Sequence, residues 1–135
     1  MIYINVTGTR NKKKAALARD AAIFAFEHLM PRMKKQVDLE IVFAKLDGIC
    51  ADQVETGDRE FEIEVDNKLQ GDELLTAIFH EVVHCVQDLR GGKSDWDKPY
   101  YERPHEIEAY EKQEIILEKW QKRVDILANP ATLYK

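Results

Sequence analysis

Residues 71–89 read GDELLTAIFHEVVHCVQDL, and the fold is decided by how this stretch is read. Apolar residues recur at helical spacing: Leu75, Ile78, Phe79, Val82, Val86 and Leu89 fall on one side of a 3.6-residue repeat. Gly71-Asp72 opens the helix, and Gly91-Gly92 stops it shortly after Leu89. His80 and His84 project almost opposite the apolar side, which predicts that they are not core positions. Glu73, Thr76, Ala77 and Gln87 make a small or polar groove around them.

Working outward from this helix, the chain alternates strand and helix signals. Ile2–Val6 is rich in β-branched and aromatic residues and reads as a short strand closed by Thr7-Gly8-Thr9. A helix is expected from about Asn11 to Met30, with Pro31 at its end. The cations Arg10, Lys12, Lys13 and Lys14 at its start read as a solvated face. Val37–Leu46 reads as a second strand and Ile49–Val54 as a short third one, with Asp47-Gly48 as the turn between them. Phe61-Glu62-Ile63-Glu64-Val65-Asp66 alternates strictly, the mark of a half-buried strand with an acidic wet face. Beyond the 71–89 helix, a polar loop leads through Trp96 and Tyr100-Tyr101 to a final helix from about Pro104 to Leu127. These elements predict one α+β domain over residues 1–135, a small mixed sheet packed on an N-terminal helix and the 71–89 helix, with a long C-terminal helix.

The composition fits one folded domain. The chain has 135 residues, 44% hydrophobic and 33% charged, with a net charge of -5. That acidic balance argues against a nucleic-acid partner, whose phosphates need a surplus of Lys and Arg, and favours a peptide or protein partner. No stretch is apolar and long enough for a signal segment or a membrane span, so a cytoplasmic protein without membrane attachment is expected. Cys50 and Cys85 are too few for a disulfide framework and read as free thiols, Cys85 as a small buried hydrophobe.

The chemistry lies in residues 80–84, His-Glu-Val-Val-His. Residues four apart share a helix face, so both imidazoles can reach one metal ion. Glu81, about 100° further round, can address a water on that metal. This is the H-E-x-x-H pattern of zinc metalloproteases. Catalytic zinc takes three protein ligands, and candidates for the third lie in Pro104-His105-Glu106-Ile107-Glu108-Ala109. On the last helix Ala109, Tyr110, Ile116, Leu117, Trp120, Val124 and Leu127 define the expected buried face, with Glu106 near its centre. A carboxylate there is costly unless paired or bound to metal, and Ala109 would let this helix approach the 71–89 helix closely. Glu106 is therefore the first choice, Glu108 the alternative, and His105 a third candidate that reads better as an exposed residue near a helix start.

His80-Glu81-Val82-Val83-His84, followed by Glu106-Ile107-Glu108-Ala109, resembles a small gluzincin, in particular the ImmA/IrrE type of metallopeptidase and small phage-encoded zincins. The likeness spans about residues 61–117 and departs from that type at Tyr110, where asparagine usually follows the alanine. The resemblance implies one zinc ion per chain and peptide-bond hydrolysis, with Glu81 as general base toward a metal-activated water. It also implies a donor to the developing oxyanion or the substrate, for which Tyr110, Tyr101 and His105 are candidates beside Tyr100 and Arg103. Tyr110 could instead support His80 or His84. In zincins the substrate backbone pairs with an edge strand, and Phe61–Asp66 is placed to be that strand. Glu62, Glu64 and Asp66 would then favour a basic peptide, although a simply solvated strand face is the better reading of them. The rival expectation is a module that keeps the metal but cleaves nothing, and binds or inhibits a partner protein.

Overall fold

A computed structural model describes residues 1–91 and 98–128; Trp96 lies outside the described residues. Among these residues four strands form one sheet: β1 (Ile2–Thr7), β2 (Val37–Ala44), β3 (Ala51–Gly57) and β4 (Glu60–Asp66), in the order β1-β2-β4-β3. β1 and β4 both run parallel to β2, and β3 runs antiparallel to β4. The helices of the described residues are α1 (Lys12–Leu29), α2 (Gly71–Leu89) and α3 (Pro104–Ala128), with a 3-10 turn at Tyr100–Glu102 before the last. Mixed strands and helices give the α+β class that the sequence predicts.

Local chemistry sets the element ends. Asn11 caps α1 by accepting a hydrogen bond from the Lys14 backbone N–H at 3.1 Å. Asp72 and Glu73 in the first turn of α2 complement its positive end. The helix stops where the Arg90 N–H donates back to Val86 and Gly91 enters the left-handed region at φ 73°, which L side chains rarely adopt.

The sheet has one dry and one wet face. Leu39, Ile41 and Phe43 of β2 lie in register with Phe61, Ile63 and Val65 of β4, and all six are buried. Against them pack α1, through Ala18, Ala21, Ala22, Ala25 and Phe26, and α2, through Leu74, Ile78, Val82 and Val86. α1 approaches α2 and β1 most closely, as its small alanines permit. α3 lies across α2 as an outer layer, with Trp120 edge-on to Phe24 and tilted against Phe79.

Three expectations are corrected here. Phe61–Asp66 is not an edge strand: β4 is flanked on both sides, and among the described residues β3 is the open edge on the α2 side. The non-local parallel pairing of β2 with β4 inserts β4 between the two strands that Asp47-Gly48 connects, so that turn does not close a hairpin. The buried face of α3 is rotated from the expected one. Glu106, Ala109, Gln113 and Ile116 line it, whereas Tyr110, Val124 and Leu127 are exposed. The last turns of α3 run past the core, and a glutamine occupies a place that an apolar count assigns to hydrophobes.

Candidate metal centre

α2 is buried nearly all round, because α3 covers the side opposite the sheet. Apolar residues at 74, 75, 78, 79, 82, 83, 85 and 86 are in the core, yet His80 and Glu81 are buried as well, at 8% and 7% exposure. The polar side of the helix faces other protein, not open water, contrary to the expectation from its periodicity. Burial of polar groups on this scale requires partners.

Those partners are specific. His80 Nδ1–H donates to Gln113 Oε1 at 2.7 Å, and His84 Nδ1–H donates to Gln87 Oε1 at 2.8 Å. The amide orientations follow from the remaining contacts. Gln87 Nε2 donates to the His105 carbonyl at 2.8 Å and to Glu108 Oε1 at 2.9 Å, both acceptors only, so its oxygen must be the atom facing His84. Gln113 Nε2 likewise faces the Glu114 carboxylate at 3.2 Å. Both imidazoles are thereby held with the proton on Nδ1, leaving the Nε2 lone pairs free in the neutral rings.

The two lone pairs converge with a carboxylate. His80 Nε2 is 3.2 Å from His84 Nε2 and 3.2 Å from Glu106 Oε1, and His84 Nε2 is 2.5 Å from the same oxygen. Metal–ligand distances of about 2.0–2.1 Å in a tetrahedron place neighbouring ligand atoms about 3.3 Å apart, which two of the three separations match. Three acceptors pointing at one place repel unless a cation or a proton sits among them. The group His80, His84 and Glu106 could hold a metal ion, and the donor set of two imidazoles and one carboxylate suits a divalent cation of intermediate softness.

Electrostatics around the centre separate the roles of the carboxylates. Burial pushes Glu81 up to about 8, with the charges of Asp52 and Glu106 adding to the effect. Burial also pushes Glu106 up, but a hydrogen bond from the Tyr100 hydroxyl and the neighbouring His84 and His80 together outweigh it and hold its carboxyl below the usual range. Burial lowers His80, only partly offset by Gln113 and Glu106, so its ring stays neutral and able to ligate.

Each residue singled out in the sequence has a definite place. Glu106 joins the two histidines. Glu108 points away, its carboxylate accepting from Gln87 and pairing with Lys112 at 3.2 Å. It braces the residue that orients His84. His105 contributes its carbonyl to Gln87, and its ring centroid is 5.7 Å from that of His84. The Tyr110 ring packs edge-on against His80 at 4.7 Å, and its hydroxyl meets that of Tyr100 at 3.3 Å. Tyr101 lies in the 3-10 turn, its side chain outside the described residues. Gln113 and Asp52 escaped the sequence reading. Gln113 sits one turn after Ala109 and two turns after Glu106 on the same face, a spacing that could have flagged it.

The centre opens into a cleft of about 750 Å³. One wall is the free edge of β3, from Ala51 to Glu55; the other carries Tyr100, Arg103, His105 and Glu108. Glu81 faces this space beside the histidines. No family model, curated protein or solved structure matches the chain. Among the described residues no helix is long and apolar enough to cross a membrane.

Proposed function

We propose that the chain is a zinc-dependent metallopeptidase of the zincin type, as its paired motifs suggest. The observation that supports this reading most directly is the convergence of His80 Nε2, His84 Nε2 and Glu106 Oε1, with both ring tautomers held by glutamine oxygens. Zinc in this place would polarise a bound water and the carbonyl to be cleaved. Three protein donors leave a coordination position for that water, unlike the closed four-ligand sets of structural zinc sites.

The chain's own groups supply the rest. Glu81 takes a proton from the attacking water on its carboxylate and passes it to the leaving amine. Its buried position makes it a stronger base than a solvated glutamate, which suits that transfer. A cation held by His80, His84 and Glu106 would favour the ionised form of Glu81. Tyr100 lines the cleft and holds Glu106 by its hydroxyl, which also meets the Tyr110 hydroxyl at 3.3 Å. A peptide lies along the open edge of β3, which offers it backbone hydrogen bonds.

The test is hydrolysis of a mixed peptide library by the zinc-loaded protein, followed by mass spectrometry. Cleavage is expected in the wild type and its loss in Glu81→Gln, which retains zinc. A zinc-loaded wild type that cleaves nothing in the library would favour a non-catalytic metal-binding module instead.

A further inference from the structure

The open edge of β3 carries an occupant of its own. The Asp66 N–H donates to the Cys50 carbonyl at 2.8 Å, and the ladder continues by pairing Asp52 with Glu64 and Val54 with Glu62. Alternation in an antiparallel ladder then turns the backbone groups of Asp52 and Val54 toward β4 and those of Ala51, Gln53 and Glu55 toward the free edge. The Gln53 N–H is the middle donor of that edge. It is taken by Asp52 Oδ1 at 2.9 Å.

A peptide that adds a strand to β3 must put its own carbonyl where this carboxylate oxygen sits. The displaced carboxylate, exposed on the strand, is then left to water and to the charges around it. The cleft offers little: its described lining contains Glu55, Glu81, Asp88, Glu106 and Glu108 as further acids and Arg103 as its cation. Arg103 donates to the Lys98 carbonyl at 2.9 Å and stacks on Tyr100, across the cleft from β3. A neutral peptide leaves Asp52 among like charges, whereas a peptide with a basic side chain beside Asp52 brings the missing partner with it.

We propose that Asp52 is a specificity-determining residue, and that the occupant of the β3 edge is an extended peptide carrying a lysine or arginine next to it. Asp52 guards the edge against neutral strands and admits basic ones. This deepens the peptidase reading because it rests on the cleft binding peptides, but it depends neither on zinc nor on turnover.

The experiment uses the full chain as Glu81→Gln, so that nothing is cleaved, with two pools of capped octapeptides of Ala, Ser, Thr and Val that differ only in a central Lys or Gln. Affinity is read by fluorescence anisotropy and the Gln53 amide by nitrogen-15 NMR. The Lys pool should bind more tightly than the Gln pool by up to about fivefold, the upper end for an exposed charge pair. The Gln53 amide should shift with either pool. Asp52→Asn, which keeps the shape, should bring the ratio close to one, and Asp52→Ala, which frees the Gln53 N–H, should tighten binding of the Gln pool. A Lys preference that persists in Asp52→Asn, an unmoved Gln53 amide, or no binding of either pool would overturn the proposal. Absence of bound zinc, or of hydrolysis by the zinc-loaded wild type, alongside the expected binding would instead sink the metallopeptidase reading and leave this one standing.

Discussion

Gln113 on α3 accepts a hydrogen bond from His80 Nδ1 on α2 at 2.7 Å, 33 residues away in sequence. The bond joins two helices and fixes which nitrogen of the ring is left bare. Support of this kind for a metal-binding histidine typically accounts for about 10- to 100-fold in metal affinity. Gln113→Leu, which keeps the volume and removes the acceptor, should weaken zinc binding by that order in a chelator competition assay. An unchanged affinity would mean that the ring needs no orienting partner.

Glu106 and Glu108 are two residues apart but play opposite parts, since one oxygen of Glu106 meets both histidines while Glu108 braces Gln87. Glu106→Gln should lose the metal at micromolar zinc. Glu108→Gln should retain it with at most a modest loss, because the buttress acts through Gln87 and then His84. Equilibrium dialysis of both variants checks the pair, and equal losses would contradict the assignment.

Burial of Glu81 carries a stability cost in the metal-free protein, and its sign follows from the raised value of about 8 against an ordinary 4.5. Below pH 4.5 the carboxyl is protonated folded or unfolded, and nothing is lost. As pH rises from there to 8 the unfolded chain ionises while the folded one holds its proton, so stability falls; above 8 the cost is constant, roughly 5 kcal/mol at most. Glu81→Gln titrates nothing. In urea unfolding of chelator-treated protein, the variant should gain on wild type between pH 5 and pH 8. A difference independent of pH would show that Glu81 is not a strained carboxyl.

Ala109 is fully buried where α3 crosses α2. Replacing it with Leu forces the helices apart and should cost about 1–3 kcal/mol by overpacking, and it should also weaken metal binding because Glu106 lies one turn before it. Thermal unfolding and metal affinity should therefore fall together. Lost stability with intact metal affinity would show that the helix spacing does not position Glu106.

Much of this was legible in local patterns. The spacing of His80 and His84, the strict alternation from Phe61 to Asp66, and the cost of placing Glu106 on a buried face are each read from one short stretch of chain, where periodicity speaks directly. What escaped was non-local. α2 reads as amphipathic, and nothing in its own residues tells that α3 covers its polar side and buries His80. The alternation of β4 shows a wet and a dry face but not its neighbours, so the edge role fell to the wrong strand. Gln113 looks like any surface glutamine until the helix phase is set by Glu106 and Ala109 rather than by the exposed Tyr110 and Val124.

The central claim is that His80, His84 and Glu106 hold a metal, and elemental analysis of the purified chain after zinc loading and desalting tests it most directly. About one zinc per chain is predicted for wild type and Glu81→Gln, and close to none for His80→Ala and Glu106→Gln. No retained metal in the wild type, or full retention in both ligand variants, would contradict it.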